Sequence, residues 1–207
     1  MKYLKTLNEL FIRPKTPKGD ESYIIYINGS SSLLRGDGSL SIRRRNQKVY
    51  NVLTQFGDDI LYPSIYWKDA GEIVFDEVME LIDSHNVKAI VGNSAGGYTS
   101  FYLSNYYKIP SMSINPAMVS TSEAPVIQPL PQKIKNSDLF SKQLVIIGDK
   151  DTKKDFGVDG HLTIEMLKSM NFEKQGGKIL ILKDTYHGLS PEQFNESFKY
   201  FYKKFVK

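Results

Sequence analysis

The sequence predicts a three-layer α/β/α sandwich with a mostly parallel central sheet. Three observations predict it. Short apolar runs alternate along the chain with segments of helical periodicity, as in a sheet covered by helices on both faces. The runs are nearly continuous rather than alternating, as strands buried on both faces are. The polar and glycine-bearing motifs follow the ends of these runs: Asn28-Gly29, Ser94, Asn115-Pro116, residues 149–151 and His187. In parallel sheets, ligands bind beyond the carboxyl ends of the strands.

The elements follow in order. Residues 23–27 (Tyr-Ile-Ile-Tyr-Ile) are β-formers closed by Asn28-Gly29. A polar loop over 30–40 leads to a helix over 43–56, with Val49, Val52, Leu53 and Phe56 on one face. Residues 59–64 form a short strand. Ile73, Val74, Val78, Leu81 and Ile82 give 71–84 a helical period. A buried strand over 87–91 precedes a helix over 98–107, where Tyr98, Phe101, Tyr102 and Tyr106 recur at helical spacing. Residues 111–114 are the next strand. Residues 118–143 hold three prolines and many small polar residues, and are expected to form an irregular lid or pocket-wall insertion. A strand over 144–148, a helix over 161–170, a strand over 178–182 and a helix over 191–205 complete one domain spanning 1–207. Pro191 suits a first helical turn.

The segment Gly92-Asn93-Ser94-Ala95-Gly96-Gly97 joins an apolar strand to a helix. A bare Gly-x-Ser-x-Gly arises by chance in roughly one chain of this length in fifteen, so the strand-turn-helix context decides. That context is the nucleophile elbow, a sharp turn that raises one serine hydroxyl above the sheet edge. Gly92 and Gly96 leave room for strand and helix to approach, and Ser94 is expected in a strained backbone conformation.

Composition narrows the chemistry. The chain has no cysteine, so thiolate catalysis, disulfides and cysteine-held metals are excluded. No cofactor or metal is expected. A net charge of +4 is mild for 207 residues. The one tight basic cluster, Arg43-Arg44-Arg45, reads as a solvated helix face; no nucleic-acid motif accompanies it. No apolar run approaches the roughly 20 residues that span a bilayer. Residues 1–13 lack the apolar core of a signal peptide, so the expected location is the cytoplasm.

A serine nucleophile needs a base, and the base an orienting carboxylate. Of three histidines, His85 suits a helix C-terminus and His161 opens a helix. His187 follows the last strand, where the base belongs. The acid is expected between serine and histidine in chain order. Asp151 is the first choice, Asp149 the second and Asp155 the third. Asp184 lies too near His187 and suits a turn cap. The oxyanion donors expected are the backbone N–H groups of Ala95 and Ser30, in the loop Asn28-Gly29-Ser30. Tyr62, Tyr66, Trp67, Phe101 and Tyr102 are candidates for an acyl pocket or for plain core.

On these motifs the chain resembles α/β-hydrolase fold proteins, and is most similar to the small, nearly lidless YqiA-like bacterial esterases. The resemblance rests on Tyr26-Ile27-Asn28-Gly29-Ser30, Gly92-Asn93-Ser94-Ala95-Gly96-Gly97-Tyr98, Ile114-Asn115-Pro116-Ala117, Gly148-Asp149 and Tyr186-His187-Gly188. It spans residues 22–205. It implies a serine hydrolase of small-molecule esters or thioesters, with Ser94 as nucleophile and His187 as base. The family commonly has His-Gly where this chain has Asn28-Gly29, and residues 118–143 look particular to this chain. The alternatives are a non-catalytic binding module on the same fold, and a nucleic acid or acidic partner bound through Arg43 to Arg45.

Overall fold

The computed structural model describes residues 21–29, 49, 51–56, 58–63, 73–118, 140–152 and 159–207. Six strands form its sheet: β1 (Ser22–Ile27), β2 (Asp59–Leu61), β3 (Asn86–Asn93), β4 (Ser111–Ile114), β5 (Gln143–Gly148) and β6 (Lys178–Leu182). Their order is β2-β1-β3-β4-β5-β6, and every neighbouring pair is parallel. The chain leaves β1 toward one side and returns to β3 on the other. The carboxyl ends of β1 and β3 therefore flank a topological switch point, where open parallel sheets place ligands.

The α-helices described in full are α1 (Ile73–Ser84), α2 (Ala95–Tyr107), α3 (Gly160–Ser169) and α4 (Pro191–Phe201). Side chains alternate across the pleat, and the two sets go to different layers. Ile24, Tyr26, Ala89, Val91, Met112, Ile114, Leu144 and Ile146 pack with Phe194, Phe198 and Phe201 of α4 and with Val52 and Leu53. On the other face, Ile25, Ile27, Val87 and Ile90 meet Val78, Met79 and Ile82 of α1 and Leu103 of α2. Val145 and Ile147 meet Phe101 of α2, Leu167 of α3 and the rings of Phe140 and Phe172. Phe101 is thus core, stacked on Phe140 at a centroid separation of 5.6 Å. Tyr102 packs partly buried against the α1 side.

Local differences from the sequence reading have local causes. Strand β3 extends to Asn93, and α2 begins at Ala95, because the turn between them is a single residue. β2 ends at Leu61 rather than at residue 64. Of the helix expected over 43–56, residues 51–53 are helical and 54–56 tighten into a 3-10 turn. The closing helix changes from α to π geometry over Tyr202–Val206. α4 is started by a capping box in which Ser190 and Gln193 bond reciprocally, with Pro191 in the first turn.

At the amino edge of the sheet, Asp58 is buried. It accepts hydrogen bonds from Ser22 Oγ and from Tyr202 OH, the latter at 2.6 Å, and lies 3.8 Å from Lys88 Nζ. This network ties the region after α4 to the start of β1. The expected features at 1–13, 30–40, Arg43 to Arg45 and most of 118–143 lie outside the described residues. Among the described residues, no helix is long and apolar enough to cross a membrane.

Candidate active site

The site begins where β3 stops. Ser94 is the one residue between β3 and α2, at φ 56° and ψ −119°, a backbone state costly for any residue with a side chain. Close contacts hold the turn. A Cβ on Gly92 would lie 2.0 Å from Gly96 O, and one on Gly96 would lie 2.2 Å from Ile27 O. Any side chain at either position would push helix, strand and β1 apart. Ser94 N–H donates to Ile114 O at 2.9 Å, and Ser94 O accepts from the N–H groups of Tyr98 and Ala117, each at 3.0 Å.

The carboxyl end of β1 adjoins this turn. A Cβ built on Gly29 would lie 2.8 Å from Ser94 Cβ and 3.5 Å from Ser94 Oγ. The Asn28-Gly29 loop thus passes beside the serine hydroxyl, across the switch point. Ala95 opens α2 directly after the serine. Ser30 and Asp155 lie outside the described residues, as do Tyr66 and Trp67.

The loops that carry His187 and Asp151 leave β6 and β5. His187 is 5% exposed and Asp151 1%. His187 Nδ1 lies 3.0 Å from each Asp151 carboxylate oxygen. An imidazole that donates Nδ1–H to a carboxylate carries its lone pair on Nε2. Asp151 is itself fixed: its N–H donates to Gly148 O and its carbonyl accepts from Gly160 N–H, each at 3.1 Å.

Asp149 does different work. Its Oδ1 accepts from Thr185 N–H at 3.1 Å. Partial desolvation pushes its pKa upward, but the N–H groups of Thr185 and Asp184, with Lys150 and Lys183 nearby, outweigh that and hold it below the ordinary carboxylate value. Lys150 Nζ bonds Asp184 at 2.6 Å, which raises the lysine's pKa. Thr185 Oγ1 accepts from Gln193 Nε2 at 2.6 Å. Asp149, Thr185 and Gln193 therefore pin the loop before His187.

The other two histidines stand apart. His85 follows α1, with Nδ1 2.9 Å from Ser84 Oγ and 3.1 Å from Leu81 O. His161 lies in the first turn of α3, where its N–H donates to the capping Asp159. The role that sequence reasoning missed is that of Asn115, which reads there as part of a strand-end motif and of the family resemblance but not as a site residue. Asn115 is 1% exposed, adopts φ 39° and bonds both site loops.

Several known proteins are similar to this chain. The family described as Uncharacterised protein family (UPF0227) matches residues 24–127. No curated protein matches the sequence. Among solved structures, an uncharacterized protein from Bacillus cereus ATCC 10987 superposes with a TM-score of 0.57 at 17% identity, over 96% of this chain and 65% of that one. The chain thus spans about two thirds of that protein's length. A structure reported for LipS and LipT, two metagenome-derived lipolytic enzymes, gives 0.54 at 14% identity, over 90% and 95%. A structure reported for carboxylesterases of the thaumarchaeon Nitrososphaera gargenis gives 0.53 at 10% identity, over 87% and 88%. The fold is the α/β-hydrolase fold.

Proposed function

Since the chain belongs to the UPF0227 family, the YqiA-like group that its motifs resemble, we propose that it is a serine hydrolase of small-molecule carboxylic esters or thioesters. The observation that carries the proposal is the pairing of a serine on a strained strand-to-helix turn with a buried imidazole held by a carboxylate. Similar structures reported for lipolytic enzymes and carboxylesterases support the ester class.

His187 Nε2 takes the Ser94 hydroxyl proton as Oγ forms a bond to the acyl carbon. Asp151 keeps Nδ1 protonated and stabilises the imidazolium. The carbonyl oxygen becomes an oxyanion, received by the N–H groups of Ala95 and Ser30. The carbon–oxygen or carbon–sulfur bond then breaks, and the leaving alkoxide or thiolate takes the proton from Nε2. Water, deprotonated by the same imidazole, releases the acid and restores Ser94. In this reading the chain is a single domain.

The experiment is labelling with a fluorophosphonate, which traps activated serines. The wild type is expected to label, and Ser94→Ala and His187→Ala to lose labelling while retaining the wild-type circular dichroism spectrum. A folded wild type that does not label, and turns over no member of an ester and thioester panel, would instead mark a binding module.

A further inference from the structure

We propose that Asn115 is a positioning residue that sets His187 relative to Ser94; the inference rests on the roles given to those two residues above. The three side-chain hydrogen bonds of Asn115 all go to the backbone of the site loops. Nδ2 donates to His187 O at 2.6 Å and to Tyr186 O at 3.2 Å. Oδ1 accepts from Gly148 N–H at 2.8 Å. The partners fix the orientation of the amide, because two carbonyls need a donor and one N–H needs an acceptor.

One side chain therefore joins the loop of the base to the strand end that leads to the acid. The main chain makes the complementary bond one residue earlier, where Ile114 O accepts Ser94 N–H at 2.9 Å. Two consecutive residues thus hold the backbones of nucleophile and base. Asn115 is held in turn by its own N–H, which donates to Ile146 O at 2.7 Å. Its left-handed backbone, at φ 39°, suits Asn and Asp better than most side chains. The loops leave little slack: a Cβ on Gly148 would lie 2.3 Å from Thr185 O and 2.5 Å from Tyr186 O.

Asn115→Asp and Asn115→Gly separate this role from packing. Asp keeps the size, tolerates the backbone and still accepts from Gly148 N–H, but sets a carboxylate against two carbonyl oxygens. Gly accepts the backbone and deletes the amide. Each variant is expected to lower the second-order fluorophosphonate labelling rate about 10- to 100-fold, the scale of a small misplacement of reacting groups. With a turned-over ester, the loss is expected in kcat rather than KM. For Asn115→Asp, the rate relative to wild type at the same pH is expected to recover as pH falls and the carboxyl regains a donor. For Asn115→Gly that ratio is expected to stay flat.

The Nδ1–H proton resonance of His187 gives a readout independent of turnover. It is expected to shift or broaden in both variants. If the wild type does not label but this resonance still changes, the hydrolase reading fails and the tether of the imidazole stands. Variants that label at the wild-type rate with an unchanged His187 resonance overturn the proposal, whether or not their melting temperature falls.

Discussion

Replacing Asp151 by Asn tests the acid assignment at nearly constant shape. In the native site both carboxylate oxygens lie 3.0 Å from His187 Nδ1. Either orientation of an amide therefore places an NH2 group as well as a carbonyl oxygen at that nitrogen, so Nδ1 is no longer obliged to carry the proton. The side chain is sealed from solvent, so water cannot take over the role of acceptor. In the tautomer that accepts from the NH2 group the proton sits on Nε2, which can then no longer receive the serine proton; in the other, the imidazolium loses the carboxylate that stabilises it. In an established triad the same tautomer error costs about 10⁴-fold. A loss of about 10³- to 10⁴-fold is expected here, or ~4–5.5 kcal/mol in the barrier at 1.36 kcal/mol per decade. The assay is the fluorophosphonate labelling rate, with thermal melting as the control for folding. Asp149→Asn is the paired control. Its oxygen accepts a backbone N–H, which an amide oxygen also does, so the expected loss is within about tenfold. Asp151→Asn labelling within tenfold of wild type, or a larger loss in Asp149→Asn, would refute the assignment.

Three further outcomes follow from the geometry. Ser94→Gly and Ser94→Ala should both be inactive, but Gly relieves the strained turn, so it should be about 1–3 kcal/mol more stable than Ala, read as several degrees in melting temperature; equal melting would remove the strain argument. Burial raises the Tyr26 hydroxyl to about 12 and, with the Asp58 bond, Tyr202 to about 12. Because the folded values exceed the ordinary 10, stability is complete below pH 10 and should be lost as pH rises through 12, by about 3 kcal/mol for Tyr26 alone; urea midpoints flat from pH 9 to 12 would contradict it. Phe198 is fully buried between Phe56, Phe194, Phe201 and Tyr202, so Phe198→Ala should cost about 3–5 kcal/mol in urea unfolding, and a loss below 1 kcal/mol would mean that this face is loosely packed.

The strands were legible because burial on both faces leaves an uninterrupted apolar run, as in Leu144-Val145-Ile146-Ile147. The elbow was legible because close backbone approach leaves glycine as the one choice at Gly92 and Gly96. Helix α2 was less so. Its buried face includes Gly96, Gly97, Thr99, Ser100, Ser104 and Asn105, and Ser100 bonds Ser113 across the interface at 2.9 Å. A helix that packs small polar residues against a sheet shows little apolar period, so its first turn was missed. Asn115 was hidden for a different reason. Its importance lies in bonds to residues 33 and 72 positions away, so the strand-end motif and the resemblance marked the position without showing what its side chain holds.

The order of the chain has a consequence for synthesis on the ribosome. Helix α4, the last α-helix in sequence, closes the face formed by Tyr26, Val91, Met112 and Ile146. Until residue 201 has emerged, that apolar face has no helix of α4 to cover it. The serine likewise emerges some 93 positions before its histidine, about 5–20 s at bacterial-like elongation rates. A nascent chain therefore presents a sticky sheet face before the helix that covers it. His187 itself emerges before α4, so both ends of the proposed pair are out while that face is still open.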